Sequence, residues 1–493
     1  NGANVYLEKA LVKYPGLSPF ELMISESQER MTFSVDKVKI EAFLELAEKR
    51  SVEASVIGEF TGTGKLCVFY NLEKVCDLSL SFVHESLKPM SLKAHFDLKD
   101  KSSHWISKAI KKEALPKDDY KKILLDLFNN PNIRSHENLI RRYDHEVKGA
   151  TLVKPFTGTK EKEFSSPSDA GVIWMKPHGG GLDNALAIAS GICPKVSNYD
   201  SYLMAEYALD EAVRNAVCVG ANPDEMVLTD NFCWPDPLES KRNPDAHLKL
   251  AHLVRASKAL YDLSLSYGMP FVSGKDSMKN DFVGLNATGE TVKISVPPTL
   301  LVTALGRVPS LKTITTSEVK SSGSLVYLIG EKMDEYQCAY ELKERYADYE
   351  VSYPLPYING KRQLDLYRSF HKAMREELIE SSHDISDGGL LLSLAEKMMG
   401  TTFGMDLDVK SVKKESLLGF FFNETAGRFV VTVKKDNQKE FEENLAGHSF
   451  LRLGLTTNHE VLNFKVNGED VLKVTSKECL DSYKNHVRGA YDN

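Results

Sequence analysis

Several oxygen-bearing side chains in this chain have the types and spacing to hold a hard divalent cation and the phosphates that travel with one. Glu211 and Asn215 stand four residues apart in YLMAEYALDEAVRNAVCVG (202–220), so a helix there puts both on one face. Asp169 stands just before the strand-like AGVIWMKP (170–177), and Asp384 and Asp387 flank Ser386 in SHDISDGGL (382–390). Magnesium prefers oxygen ligands and keeps bound phosphates beside it. A glycine-rich turn opening a helix offers backbone N–H groups to a phosphate. With Asn231, beside a strand end in LTDNF, polar residues accumulate at the ends of strands and helices. Taken alone, the Glu211/Asn215 pair is also what a solvated helix face shows, so spacing leaves both readings open.

SGKDSMKND (273–281) follows the strand-like MPFV. Gly274 and Ser277 suit close approach of a phosphate and Lys275 adds a cation; an ordinary surface turn is the alternative. Two other motifs fall away. GEFTGTGKL (58–66) looks like a phosphate-binding P-loop, but five residues rather than four separate its outer glycines, Leu66 follows the Lys, and the segment lies between two strands. HGGG (178–181) has the form of an esterase oxyanion loop, yet no GxSxG elbow accompanies it. A loop covering a nucleotide, or a plain turn, suits it better.

Strands alternate with helices along the chain while hairpin-like strand pairs intrude, which predicts an α/β fold of mixed sheets rather than a doubly wound parallel one. Residues 1–95 read as an α/β segment, 96–165 as a helical connector, 166–305 as a second α/β domain, 306–323 as a Ser/Thr/Lys-rich linker and 324–493 as a third. The last repeats the first. SESQERM (25–31) is echoed by ETAGR (424–428); MTFSVDKVKIEAFLELAEK (31–49), a strand then a charged helix, by FVVTVKKDNQKEFEENLAG (429–447); ASVIGEFT (54–61) by FLRLGLTT (450–457); and KLCVFYNL (65–72) by EVLNFKVN (460–467). The copies are unequal: Gln28, able to recognise a ligand, is matched by Ala426, which is not. The chain starts Asn1-Gly2-Ala3 and enters a strand at once, as if continuing a domain that begins upstream.

The 493 residues suffice for about three domains, and 42% hydrophobic with 27% charged residues is ordinary for a globular protein. A net charge of −7 and the absence of a long basic stretch argue against nucleic acid as a partner. No apolar run approaches a membrane span and no signal peptide is visible. Seven scattered cysteines without a CxxC fit free thiols in a reducing cytoplasm.

Four motifs in register, SESQERM, TDNFCWPDP (229–237), SGKDSM (273–278) and SHDISDGGL, with the connector IRSHENLIRRYDHEVKG (133–149), resemble phosphoribosylformylglycinamidine synthase, over nearly the whole chain. The resemblance implies tandem aminoimidazole-ribonucleotide-synthetase-like N- and C-terminal domains, internally duplicated, with this chain holding the end of the first half and all of the second. It implies an ATP-dependent ligase of purine biosynthesis that joins glutamine-derived ammonia to formylglycinamide ribonucleotide, using ATP or ADP and Mg²⁺, with a glutaminase subunit or domain and the remaining N-terminal half as partners. Carried over residue by residue, it implies substrate contacts at Glu26, Ser27, Gln28 and Ser277, nucleotide contacts at Ser168, Asp230, Gly274, Lys275 and Ser386, and metal ligands at Asp169, Glu211, Asn215 and Asp384. Shorter family members carry a metal-binding Asn where Lys275 stands. The family's catalytic His is expected upstream of Asn1 and no glutaminase precedes Asn493, so the chain alone is expected to be incomplete. Two alternatives are a structural module that holds Mg-ADP without turnover and another synthetase of the same superfamily; Gln28 and TDNFCWPDP weigh against the latter.

Overall fold

The structure is a computed structural model. It describes residues 1–26, 29–87, 90–97, 113–116, 119–142, 145–146, 149–163, 165–176, 179, 181–332, 337–352, 355–410 and 412–489, without the side chains of 486–489. Two compact units are present, Asn1–Leu92 and Lys93–Asn493.

In the first unit, β1 (Ala3–Tyr6), β2 (Gly58–Phe60), β3 (Lys65–Tyr70) and β4 (Glu73–Ser79) form a sheet in the order β2-β1-β3-β4. Helices α1 (Pro19–Ile24), α2 (Ile40–Lys49) and α3 (Leu80–Glu85) accompany it. Ser18 and Glu21 form a reciprocal capping box at α1, whose Pro19 occupies the first turn.

The second unit holds two large sheets. The six-stranded one runs β11 (Phe271–Ser277), β10 (Met226–Cys233), β14 (Thr299–Val308), β9 (Ala185–Ile192), β8 (Gly171–Trp174), β5 (Thr151–Val153). Helices α6 (Ser201–Cys218) and α7 (Ala246–Tyr267) pack with it. On β9 buried Ala185, Ala187, Ala189 and Gly191 alternate with Leu186, Ile188, Ser190 and Ile192 on the open face. Gly191 is required because a Cβ there would meet the Ala208 carbonyl of α6 at 2.1 Å. Ribbons β6 (Phe156–Thr157) with β7 (Ser166–Pro167), and β12 (Asp281–Leu285) with β13 (Thr291–Ser295), flank these strands in sequence. The expected connector is therefore not wholly helical. Its described residues hold α4 (Tyr120–Phe128) and α5 (Glu137–Ile140), but Thr151–Val153 pair with β8. WISKAIKKEAL lies largely outside the described residues.

The seven-stranded sheet runs β16 (Ser381–Asp384), β18 (Phe429–Val433), β15 (Leu325–Ile329), β19 (Phe450–Thr457), β17 (Gly404–Val409), β20 (Val461–Val466), β21 (Glu469–Thr475). Its centre is buried on both faces, which is why β15 and β18 read LVYLI and FVVTV without polar alternation. Leu325, Tyr327 and Ile329 face a core shared with α6, α9 (Gly360–Arg375) and α12 (Gln438–Asn444). Val326 and Leu328 face the opposite core with α4, α8 (Tyr340–Arg345), α10 (Gly389–Met399), α11 (Leu417–Phe422) and α13 (Ser476–Gly489).

The duplication shows in the pairing. Strands β2-β1-β3-β4 and β19-β17-β20-β21 have the same order and the same senses: antiparallel, parallel, antiparallel. Two differences from the sequence alignment have physical causes. Residues 429–433 form β18 between β16 and β15, whereas 31–35 are not a strand. No described strand of the first unit corresponds to β15 or β16, and a strand without neighbours leaves its backbone groups unpaired. The last hairpin also aligns one residue later than the sequence suggests. Asn71-Leu72 at the β3–β4 turn and Asn467-Gly468 at the β20–β21 turn all have positive φ, the requirement of a type I′ turn.

Candidate active site

Helix α6 carries the centre of the site and is buried on nearly every side. Its N-cap is Asp200, whose side chain accepts the Tyr202 N–H at 2.9 Å. Such a helix can carry polar groups inward only if each finds a partner. Asp210 accepts the hydroxyls of Tyr267 and Tyr367, each at 2.6 Å, and pairs with Arg214 one turn on. Arg214 reaches the Asp384 carboxylate at 3.1 Å, joining α6 to the end of β16. Glu211, on the adjacent flank, accepts the Ile192 N–H at 2.8 Å, and Asn215 donates to the Ser190 carbonyl at 3.1 Å. The pair is thus packed against the end of β9, which decides against the solvated-face reading.

Asp169, at the entry to β8, accepts the Asp384 N–H at 3.1 Å and bonds His383 Nδ1 at 2.7 Å. His383 Nε2 meets Glu396 of α10 at 3.0 Å. Burial works against a charged His383, but the Asp169 carboxylate outweighs it and lifts the ring to about 10, so it is an imidazolium. Asp169, His383 and Asp384 offer ligand atoms within 4.8 Å of one another. A doubly hydrogen-bonded imidazolium has no lone pair for a metal, so His383 serves as a counter-ion and the donors that remain are oxygens.

Two of those oxygens are buried without a partner, Asp169 Oδ2 and Asn215 Oδ1. An orphaned buried acceptor costs about 1–3 kcal/mol. Burial and the nearby Asp387 and Asp384 push Glu211 up to about 8. Burial likewise raises Asp384 to about 6 in spite of Arg214. Orphaned acceptors and crowded carboxylates, all oxygen, are what a hard divalent cation would complete. Asp169, Glu211, Asn215 and Asp384 therefore fit Mg²⁺.

A small open cavity adjoins Glu211, lined by Glu211, Arg214, Lys195, Ser386 and Asp387 among others. The turn before α10 needs both its glycines. Gly388 and Gly389 have φ of +79° and +71°, and a Cβ on Gly389 would meet the Phe422 backbone at 2.6 Å. Glu424 holds that turn in place, accepting the N–H of Gly388 at 2.8 Å and of Tyr340, the first residue of α8, at 2.7 Å. Arg428 is fully buried and donates to the carbonyls of Thr425 and Asn423. In the echoed motif the Glu and Arg are thus architectural, while Ala426 lines the cavity with a methyl group.

Ser168 is half-buried beside Asp169, its hydroxyl donating to the Ala170 carbonyl at 3.1 Å. Asp230, Gly274, Lys275 and Ser277 form a second group on β10 and β11. SGKDS is not the surface turn of the alternative reading. Its parallel ladder with β10, from Leu228–Phe271 to Cys233–Ser277, keeps it extended. Gly274 is needed because a Cβ would lie 2.3 Å from Asp230 Oδ1. Asp230 accepts the Lys275 N–H, and burial raises its carboxyl above the usual range. Asp230, Val302 and Gly191 share one cross-strand row, so this group lies two strand spacings, about 10 Å, from the β9 end that holds Glu211. Glu26 is exposed on the loop after α1; Ser27 and Gln28 lie outside the described residues. Glu29 has φ +60° where the second copy has Gly427 at +78°, so the two motifs share a left-handed turn. Sequence reasoning missed His383, Arg214, Lys195 and Glu396. Only His383, next to Asp384, carried a sequence signal; Arg214 and Glu396 look like helix-surface residues.

Residues 1–71 and 323–466 match the family described as AIR synthase related protein, C-terminal domain. The chain is also similar to the PurL subunit of phosphoribosylformylglycinamidine synthase. It is 28% identical over 468 residues to that of Thermoplasma acidophilum, covering 94% of this chain and 56% of the relative. It is 29% identical over 489 residues to that of Thermococcus sibiricus, covering 98% and 61%. The chain thus spans little more than half the length of the curated relatives it matches. Among solved structures, Thermotoga maritima PurL complexed with ATP superposes with TM-score 0.55 at 18% identity, covering 92% of this chain and 59% of that one. The same protein complexed with FGAR gives 0.54 at 19%, covering 92% and 58%. These share the fold.

Proposed function

We propose that this chain is the second-half portion of an ATP-dependent C–N ligase that converts formylglycinamide ribonucleotide, ammonia from glutamine and ATP to the amidine ribonucleotide, and that its acidic cavity holds Mg-ADP or Mg-ATP. The observation that carries the reading is the all-oxygen set of Asp169, Glu211, Asn215 and Asp384, a set with two orphaned acceptors, of which Glu211 lines the adjoining cavity. The relatives named above include PurL structures complexed with ATP and with FGAR. When bound, Mg²⁺ neutralises phosphate charge. The chain's own groups do the rest. Asp169 and Asp384 are fixed by the backbone bond between them, Arg214 holds Asp384 in place, and Lys195 and Ser386 face the phosphate side. Glu26, Ser27, Gln28 and Ser277 are the substrate contacts in this reading, and Ser168, Asp230, Gly274 and Lys275 the further nucleotide contacts.

The remaining N-terminal half and a glutaminase are the proposed partners, in the cytoplasm. The open face of the six-stranded sheet supports the first of these, with Leu186, Ile188, Ile192, Leu301 and Leu305 only partly covered or exposed. Among the described residues no helix is long and apolar enough to cross a membrane. Domain bounds of 1–95, 96–165, 166–305, 306–323 and 324–493 accompany the proposal. Denaturing the purified chain and chromatographing the supernatant is expected to release ADP or ATP. A nucleotide-free chain that also gains no thermal stability from Mg-ADP would overturn the reading. Retention without hydrolysis would favour the structural nucleotide over a turning-over one.

A further inference from the structure

A second cavity, of about 380 Å³, lies away from the acidic site, between the last turn of α9, the end of β14 with the 3₁₀ turn Leu311–Thr313, and the loop before β10. His371 and Arg375 stand four apart on α9, so both face it. His371 is 6% exposed and both of its ring nitrogens are buried without a hydrogen-bond partner. Arg375 has no carboxylate or hydrogen-bond partner among the described residues. Lys312, largely exposed, has only the Glu377 carboxylate at 3.8 Å. Arg307 completes the rim and is partly committed, to Glu225 at 2.9 Å and to Asn184 Oδ1 at 2.9 Å.

We propose that this cavity binds a small oxyanion of the phosphate class, held by Arg375, His371 and Lys312. The cavity wall carries unmet hydrogen-bonding demand. A buried imidazole with no partner forfeits the hydrogen bonds it had in water. Burial and Arg375 hold His371 down at about 4, so it is neutral, with one N–H to donate. An oxyanion between the two side chains accepts that N–H and takes the guanidinium in a bidentate pair, the strongest geometry available to Arg. Glu225 pairs with Arg307 and Glu377 with Lys312; Asp224, which with Glu225 also acts on His371, is held by Arg368 at 2.6 Å. Among the lining residues three cations, Arg307, Lys312 and Arg375, stand against one carboxylate, Glu225, in a chain of net charge −7. Nothing in the acidic site's chemistry requires this cavity, so the two stand or fall separately.

The test is calorimetric titration of the full chain with inorganic phosphate, in Mg²⁺-free buffer whose ionic strength is fixed with chloride. One saturable site is expected, weakened about tenfold or more by Arg375→Gln and by His371→Gln, each removing one anion contact. Arg375 is exposed, so its variant keeps the fold and the test does not depend on the buried histidine. Glu211→Gln, in the acidic cavity, is expected to leave phosphate binding unchanged. Absence of saturable binding at millimolar phosphate, or binding lost in Glu211→Gln but kept in Arg375→Gln, would overturn the proposal.

Discussion

Replacing Glu211 by Gln separates metal holding from architecture. The amide oxygen can still accept the Ile192 N–H that Glu211 accepts at 2.8 Å, so the packing of α6 on β9 survives. What is lost is one anionic ligand beside Asp384. In wild type, Mg-ADP at a hundred times its dissociation constant adds about 2.7 kcal/mol to stability. The unit Lys93–Asn493 has about 400 residues and so an unfolding entropy near 0.8 kcal/mol per kelvin, which makes the expected rise in melting temperature about 3 °C. Glu211→Gln is expected to lose most of that rise. In chelator and without nucleotide, it is expected to melt no lower than wild type, because burial and the neighbouring Asp387 and Asp384 already disfavour the carboxylate. Differential scanning fluorimetry of both proteins with EDTA, Mg²⁺, ADP and Mg-ADP reads all of this. A variant that keeps the full Mg-ADP rise refutes the ligand assignment. One that collapses in chelator shows that Glu211 holds the helix rather than a metal.

Glu206, also on α6, tests burial in the same helix. Burial lifts it from 4.5 to about 8, so between those pH values the folded protein holds a proton that the unfolded chain has released. Its contribution is therefore favourable below pH 4.5 and lost as pH rises to about 8. Glu206→Gln should stabilise the chain by up to about 3 kcal/mol at pH 7 and flatten the pH slope, read by urea denaturation from acid to neutral pH. Leu72→Gly relieves a left-handed leucine in the β3–β4 turn, where the second copy already has Gly468, and should raise the stability of the first unit by about 1 kcal/mol in urea titrations. Gly389→Ala should cost more than about 2 kcal/mol, because its Cβ meets backbone rather than a movable side chain; a milder loss in chemical denaturation would contradict the tight turn.

The sequence alone determined what is written in local pattern. The apolar runs of β15 and β18 mark their elements directly. The echo of 25–72 in 424–467 carries the strand order of one sheet into the other, and Glu211/Asn215 share a face by spacing alone. Tertiary structure decided everything that depends on neighbours. Residues 31–35 have the composition of β18 but no ladder to join. SGKDS has the composition of a turn, yet its pairing with β10 makes it a strand. Glu211 and Asn215 look solvated in sequence, yet α6 packs on the end of β9, so Asn215 is buried and Glu211 half-buried. His383 could have been a ligand or a base by its type; only its position between Asp169 and Glu396 makes it a fixed cation. Residue type sets which bonds are possible, and burial with its partners sets which are made.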